Sequence, residues 1–255
     1  YLQSPNYPQV ITPYQMNVEI ILNYTDADFG TGIEAADITS PDHPTWIDNI
    51  TDLTGGLYSV WIDVSSLSQG QYYISLTADK ASFEAKTLQF RIVIRVAYTT
   101  AVPSVGSLDI PLGSSAIFYV DYTDIDRLLP INNATSPYTQ VTCSWTNYHV
   151  EYLSGIQKYK ITFSTTNTDT IAQNVVYTFT FTKGTNYQIV SFTITVSIRT
   201  HNTDFRLVSA IEPTSTIGIF NISVYYGDLD DAVGIKSGLV VFSVHNASGL
   251  VSSSS

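Results

Sequence analysis

Six aspartates fall in three pairs, each spaced one residue apart: Asp26 and Asp28, Asp124 and Asp126, Asp228 and Asp230. Two carboxylates so close together in a loop can converge on a hard cation. Calcium, which takes six to eight oxygen ligands, is the ion they would suit. The competing reading is conformational, since an aspartate directly after a strand can cap a turn through its own backbone. Two carboxylates are too few to hold calcium, and no second acidic cluster recurs at a matching distance, so turn formation is favoured. Each pair has the same surroundings. A tyrosine (Tyr24, Tyr122, Tyr226) stands two residues ahead of the first aspartate, and an isoleucine (Ile33, Ile131, Ile235) follows it by seven.

Other groups could also carry function. Acceptor triplets for N-glycosylation occur at Asn23, Asn49, Asn133, Asn221 and Asn246, a slight excess over chance in a chain so rich in Ser and Thr. Trp61, Tyr73, Tyr119 and Tyr225 fall on the polar side of their strands. There they could stack on sugar rings, meet a neighbouring subunit, or pair across a solvated sheet. Catalysis finds little support. His43, His149, His201 and His245 are scattered without metal-ligand spacing, and no Gly-x-Ser-x-Gly elbow or phosphate-binding glycine loop occurs. Cys143, in a strand-like stretch beside Trp145, reads as a small core residue rather than a nucleophile.

The three motifs lie about 100 residues apart, the length of one β-sandwich domain. The 255 residues therefore hold two complete copies and part of a third, with boundaries giving 1–97, 98–200 and 201–255. Period-2 alternation is the dominant pattern. Val18, Ile20, Leu22 and Tyr24 share one face of a strand in copy one. Phe118, Val120 and Tyr122 match them in copy two, and Phe220, Ile222, Val224 and Tyr226 in copy three. Trp46 and Trp145 recur at similar offsets and are expected as core anchors. No long 3.6-residue period appears, so the fold class expected is all-β, built of antiparallel sandwiches. Copy three lacks counterparts of the last strands. Either the natural chain continues past Ser255, or a strand from a neighbouring molecule completes the sandwich.

A net charge of −11, with few Lys and Arg, excludes nucleic acid as a partner. One cysteine allows no intrachain disulfide, and no apolar run is long enough to span a membrane. The chain starts at Tyr1 without a secretion signal, and reads as a mature or excised segment.

The stretch Trp61–Tyr72, containing Leu67-x-x-Gly70-x-Tyr72, and the stretch Ile74–Phe83, containing Ala78-x-Lys80-x-x-Phe83, resemble a signature of Ig-like repeats in large prokaryotic, especially archaeal, surface proteins. The Tyr-x-Asp-x-Asp-x-x-x-x-Ile segments resemble the second strand and turn of those repeats. Copy two keeps the turn at Thr182–Tyr187 but lacks the Leu-x-x-Gly-x-Tyr element. The resemblance implies tandem immunoglobulin-like antiparallel β-sandwich domains at the cell surface, in an extracellular stalk, surface layer or filament rather than an enzyme. Self-association into a polymer or lattice is the partner it implies. An adhesin or carbohydrate-binding module with a glycan ligand is the alternative.

Overall fold

The computed structural model describes residues 1–133, 136–208, 222–236, 238, 242–246 and 249–254; of the last two stretches only the backbone is described. Asn221, Phe220 and the side chain of Asn246 thus lie outside the described residues. The chain divides into two compact units: Tyr1–Gly106 with Phe118–Ile161 and Tyr177–Ile194, and Ser107–Ile117 with Thr162–Val176 and Thr195–Ser255.

The first repeat, wholly in the first unit, has eight strands: β1 (Leu2–Gln3), β2 (Gln9–Pro13), β3 (Val18–Tyr24), β4 (Asp37–Thr39), β5 (Ile47–Asp52), β6 (Leu57–Ile62), β7 (Gly70–Asp79) and β8 (Lys86–Arg95). One sheet runs β1-β3-β6-β5 and the other β2-β8-β7-β4. Neighbours are antiparallel except β2, which lies parallel to β8 with Val10 opposite Ile92. This is the strand order of an immunoglobulin-like sandwich. Alternation dictates the core: Ile20, Leu22, Val60 and Ile62 of one sheet and Ile74, Leu76, Phe90 and Ile92 of the other are fully buried in one cluster. Each such side chain contributes about 1.5–3 kcal/mol over an exposed one.

Local chemistry shapes the bends. At the start of β7 the Tyr72 hydroxyl donates to the carbonyl of Ser68 at 3.0 Å, the tyrosine corner of immunoglobulin-like domains. Gly70 lies under that ring, where a Cβ would come within 3.4 Å of it. The turn into β6 takes positive φ at Thr54, Gly55 and Gly56 in succession. A Cβ at Gly56 would stand 2.4 Å from the Tyr24 carbonyl, so this position requires glycine.

The second repeat repeats the order with β9 (Thr99–Pro103), β10 (Ser107–Pro111), β11 (Ser115–Asp124), β12 (Leu129–Pro130), β13 (Gln140–Cys143), β14 (Tyr148–Leu153), β15 (Lys158–Ser164), β16 (Ala172–Thr182) and β17 (Val190–Arg199). Its sheets are β12-β11-β15-β14, with β9 also on β11, and β10-β17-β16-β13. In the first unit its core is aromatic. Phe118 meets Phe179 edge-on at 5.5 Å, and Tyr122 lies 5.1 Å from Phe181. In the second unit β10 runs parallel to the end of β17, Ile110 opposite Ile198.

The third repeat supplies β18 (Thr203–Leu207), β19 (Val224–Asp228) and β20 (Val233–Gly234) in one small sheet, and a hairpin of β21 (Phe242–Asn246) and β22 (Gly249–Ser254). Ile222 and Val224, expected to face inward, are exposed on the small sheet β18-β19-β20 and the stretch that enters it. The tryptophans also differ from expectation. Trp46 packs at the rim of the first core, stacked on His43 at 3.8 Å, and Trp145 is half-buried and edge-on to Tyr177. Their indole N–H groups are better placed near water than in a dry centre. Cys143 is likewise half-buried, and burial pushes its thiol up, away from the reactive thiolate. Among the described residues no helix is long and apolar enough to cross a membrane.

Replacing Phe90 with Ala should therefore lower unfolding stability by about 3–5 kcal/mol in urea titrations, the cost of the lost ring plus its cavity. A change below about 1 kcal/mol would contradict the two-sheet core.

Candidate functional site

The repeated motif builds the same loop three times. In each copy the Oδ1 of the first aspartate accepts the backbone N–H two residues on, from Asp28, Asp126 and Asp230, at 2.9 Å. The repeated isoleucine then donates its N–H to the carbonyl of the motif tyrosine: Ile33 to Tyr24 at 2.9 Å, Ile131 to Tyr122 at 2.8 Å, and Ile235 to Tyr226 at 2.9 Å. The spacing of seven residues is thus the length of a closed loop. Two core tyrosines lock it from below, Tyr58 donating to the Ile33 carbonyl at 2.7 Å and Tyr159 to that of Ile131 at 3.0 Å.

The second aspartate does something else. Asp126 accepts both Nη atoms of Arg95, at 2.9 and 2.7 Å, together with the N–H of Tyr98 at 2.8 Å. Asp230 accepts both Nη atoms of Arg199, at 2.7 and 2.8 Å, and the N–H of Asn202 at 2.7 Å. Each arginine closes the last strand of the preceding repeat, β8 or β17, and stands 31 residues before its aspartate. The planar guanidinium matches a carboxylate with two parallel hydrogen bonds, a geometry lysine cannot supply. Both arginines also donate to the carbonyl of the next residue, Val96 or Thr200, and Arg95 lies over the Tyr98 ring at 3.9 Å. The Arg95 guanidinium, aided by the Tyr98 N–H, holds the Asp126 carboxyl below the usual carboxylate range. Arg199 and the Asn202 N–H depress Asp230 far further. The paired carboxylates in turn raise both arginines.

The two junctions differ in how the first aspartate is neutralised. Asp124 is fully buried and takes Arg127 Nε at 2.8 Å. Arg127 continues to Gln15 of the first repeat at 2.6 Å and to the Tyr187 hydroxyl at 2.7 Å. At the second junction an aspartate, Asp231, occupies the position of Arg127, and His201 occupies that of Ala97. His201 Nε2 lies 2.6 Å from the Leu112 carbonyl, while Nδ1 is 2.6 Å from Asp228 Oδ2 and 3.8 Å from Asp231. An acceptor beside each ring nitrogen favours the imidazolium. The Leu112 carbonyl, followed by the charges of Asp228 and Asp231, raises the pKa of His201.

These contacts bear on the cation reading. In copies two and three the carboxylates already accept N–H groups and face guanidinium or imidazole nitrogen, so a cation would have to displace them. His201, Asp228 and Asp231 offer ligand atoms within 4.8 Å of one another, but a nitrogen donor ill suits calcium. The sequence singles out neither Arg199 nor a role for Arg95, which alternation marks only as outward. The shared 31-residue separation was the available signal.

The remaining candidates do not gather into a site. Trp61 lies on β6 opposite Glu19 and Asn49, whereas Tyr73 lies on β7 in the other sheet, opposite Arg91. Tyr119 is on β11, and Tyr225 on β19 sits under the guanidinium of Arg206 at 5.0 Å. Asn49 is exposed on the edge strand β5 and donates to its own triplet's Thr51 at 3.2 Å. Asn23 and Asn133 are half-buried, accepting from the Thr25 hydroxyl at 3.0 Å and the Thr139 N–H at 2.6 Å.

No family model matches the chain, and no curated protein matches it. Among solved structures it is similar to the titin domains Z1Z2 in complex with telethonin, at 12% identity and a TM-score of 0.41, covering 79% of this chain and 98% of that one. It is also similar to the insect immune protein hemolin, at 9% identity and 0.35, covering 75% and 45%. The Yersinia pseudotuberculosis adhesin InvE matches at 12% and 0.29, covering 77% and 58%. Scores this low carry no argument, so the fold rests on strand order, core and tyrosine corner.

A double-mutant cycle on Arg95→Ala and Asp126→Asn should give a coupling of about 0.5–1 kcal/mol in unfolding, with Arg95→Lys recovering less than half of it. Additive effects would show that the fork contributes nothing. Both junctions should weaken in acid, through Asp126 and Asp230, and the second should weaken in base as well, through His201. Asp126 is depressed in the folded state. Its contribution is therefore complete above about pH 4, the unfolded carboxyl value, and is lost as pH falls through the lower folded value. His201 is raised, so its contribution is complete below about pH 6.5 and is lost as pH rises through the folded value. Hydrogen-exchange protection of Leu229, which donates to the Asn202 carbonyl at 2.9 Å, should fall on the alkaline side in the native chain and not in His201→Ala.

Proposed function

We propose that this chain is a structural part of an extracellular cell-surface protein of the prokaryotic, especially archaeal, kind, and that its Ig-like repeats build or decorate a filament or surface layer. One observation carries the reading. Two successive junctions are closed by the same bidentate arginine–aspartate fork, reinforced by a linker N–H on the same carboxylate. Such a device ties the last strand of one repeat to the aspartate loop of the next, which suits a scaffold. The acidic, hydroxyl-rich composition agrees with an exposed surface. Among the described acceptor sites Asn49 is the best placed to carry a glycan, and the exposed Ile222 and Val224 are where self-association by strand addition would act.

A second reading, an adhesin or carbohydrate-binding module, draws support from Trp61. This exposed indole has the polar neighbours Glu19 and Asn49 in register on the same sheet, a combination that suits a sugar ring.

Electron microscopy of material released from the native cell surface should show this protein in polymers or a lattice. Purification only as dispersed monomer, with no ordered assembly on the cell, would remove the structural reading. Glycan binding abolished by Trp61→Ala would favour the second.

A further inference from the structure

The first repeat carries the same acceptor loop as the other two, and within the described residues nothing fills it. Asp26 accepts the Asp28 N–H as its counterparts do, but the Asp28 carboxylate has no ion pair or hydrogen bond among the described residues. Phe29 stands where Arg127 and Asp231 stand in the other copies, and is 81% exposed. Beside these residues lies a cleft of about 590 Å³ lined by Tyr1, Asp26, Asp28 and Phe83. The corresponding cleft of the second repeat, beside Asp124 and Ile131, measures about 270 Å³, and Tyr14 and Gln15 of the preceding repeat form part of its wall. The neighbouring strand is in the same register in all three copies: Leu2 lies opposite Tyr24, Ala101 opposite Tyr122, and Phe205 opposite Tyr226.

We propose that the face bearing Asp26, Asp28 and Phe29 is a third docking surface of this kind, and that its partner is the end of another such repeat, delivering a strand-terminal arginine to Asp28. The occupant is identified by the two junctions already filled. There the equivalent carboxylate accepts a guanidinium fork and the N–H three residues after that arginine. The exposed ring of Phe29 and the open cleft supply the apolar contact that such an interface needs around its charged pair. The inference rests on the junction geometry alone and does not depend on surface assembly.

Register provides the test. Thr99 lies opposite Asp124 and Thr203 opposite Asp228, each four residues after its arginine. The residue opposite Asp26 would immediately precede Tyr1. A second copy of residues 1–99, or of residues 98–203, joined directly ahead of Tyr1 in the full chain therefore presents an arginine at the matching place. The Asp28 carboxyl is followed by NMR titration in both fusions and in the 255-residue chain. Its midpoint should fall by at least about one pH unit in one or both fusions, a tenfold change in protonation, and return when the added arginine is replaced by Ala. An unchanged midpoint in both fusions overturns the proposal, as does a fall that survives the Ala replacement. A shift produced in the 255-residue chain by millimolar calcium, with no response to the added arginine, assigns the face to a cation and equally overturns it.

Discussion

The fork between a strand-terminal arginine and the second aspartate of the next repeat is the contact that turns separate sandwiches into a connected series. Arg95 and Asp126 meet at the end of β8, and Arg199 and Asp230 at the end of β17. The fork works because both partners are already held. The aspartate sits in a loop closed by its neighbour's Asx turn and by the isoleucine–tyrosine hydrogen bond, and the arginine ends a strand with its guanidinium also bound to the next carbonyl. Preorganisation reduces the side-chain entropy that makes most surface ion pairs nearly worthless.

The two junctions show how one geometry tolerates different charge chemistry. A buried carboxylate needs a counter-charge. At the first junction Asp124 obtains it from Arg127 within its own loop, and that arginine also binds Gln15 and Tyr187 across the junction. At the second junction position 231 is an aspartate, so Asp228 is compensated from the linker, by His201. A permanent cation is thereby replaced by a titratable one, and only one of the two junctions is tied to the protonation of an imidazole.

Most of the architecture was legible in the residues. Alternation in Val18–Tyr24, Tyr58–Val64, Tyr72–Leu76 and Leu88–Ile94 assigned the buried faces of the first repeat, and Leu67-x-x-Gly70-x-Tyr72 became a tyrosine corner. The tripled Tyr-Asp-Asp-Ile spacing was readable as a turn because its hydrogen bonds are local. Trp46 and Trp145 were misplaced, since bulk and recurrence indicate burial but not which end of a ring needs water. The outward aromatics failed to converge for a related reason: alternation states that Trp61 and Tyr73 leave the core, but not that they leave it through different sheets.

The sequence by itself determined the strand periodicity and the loop chemistry, because each depends on residues close together in the chain and on burial of one strand face. Only the tertiary structure decided that Arg95 reaches Asp126, that Arg199 reaches Asp230, and that His201 stands in for an arginine. Those partners lie about thirty residues apart, and each arginine and its aspartate stand on opposite sides of a boundary. Their encounter depends on the angle at which one sandwich hands the chain to the next, which no short-range pattern encodes.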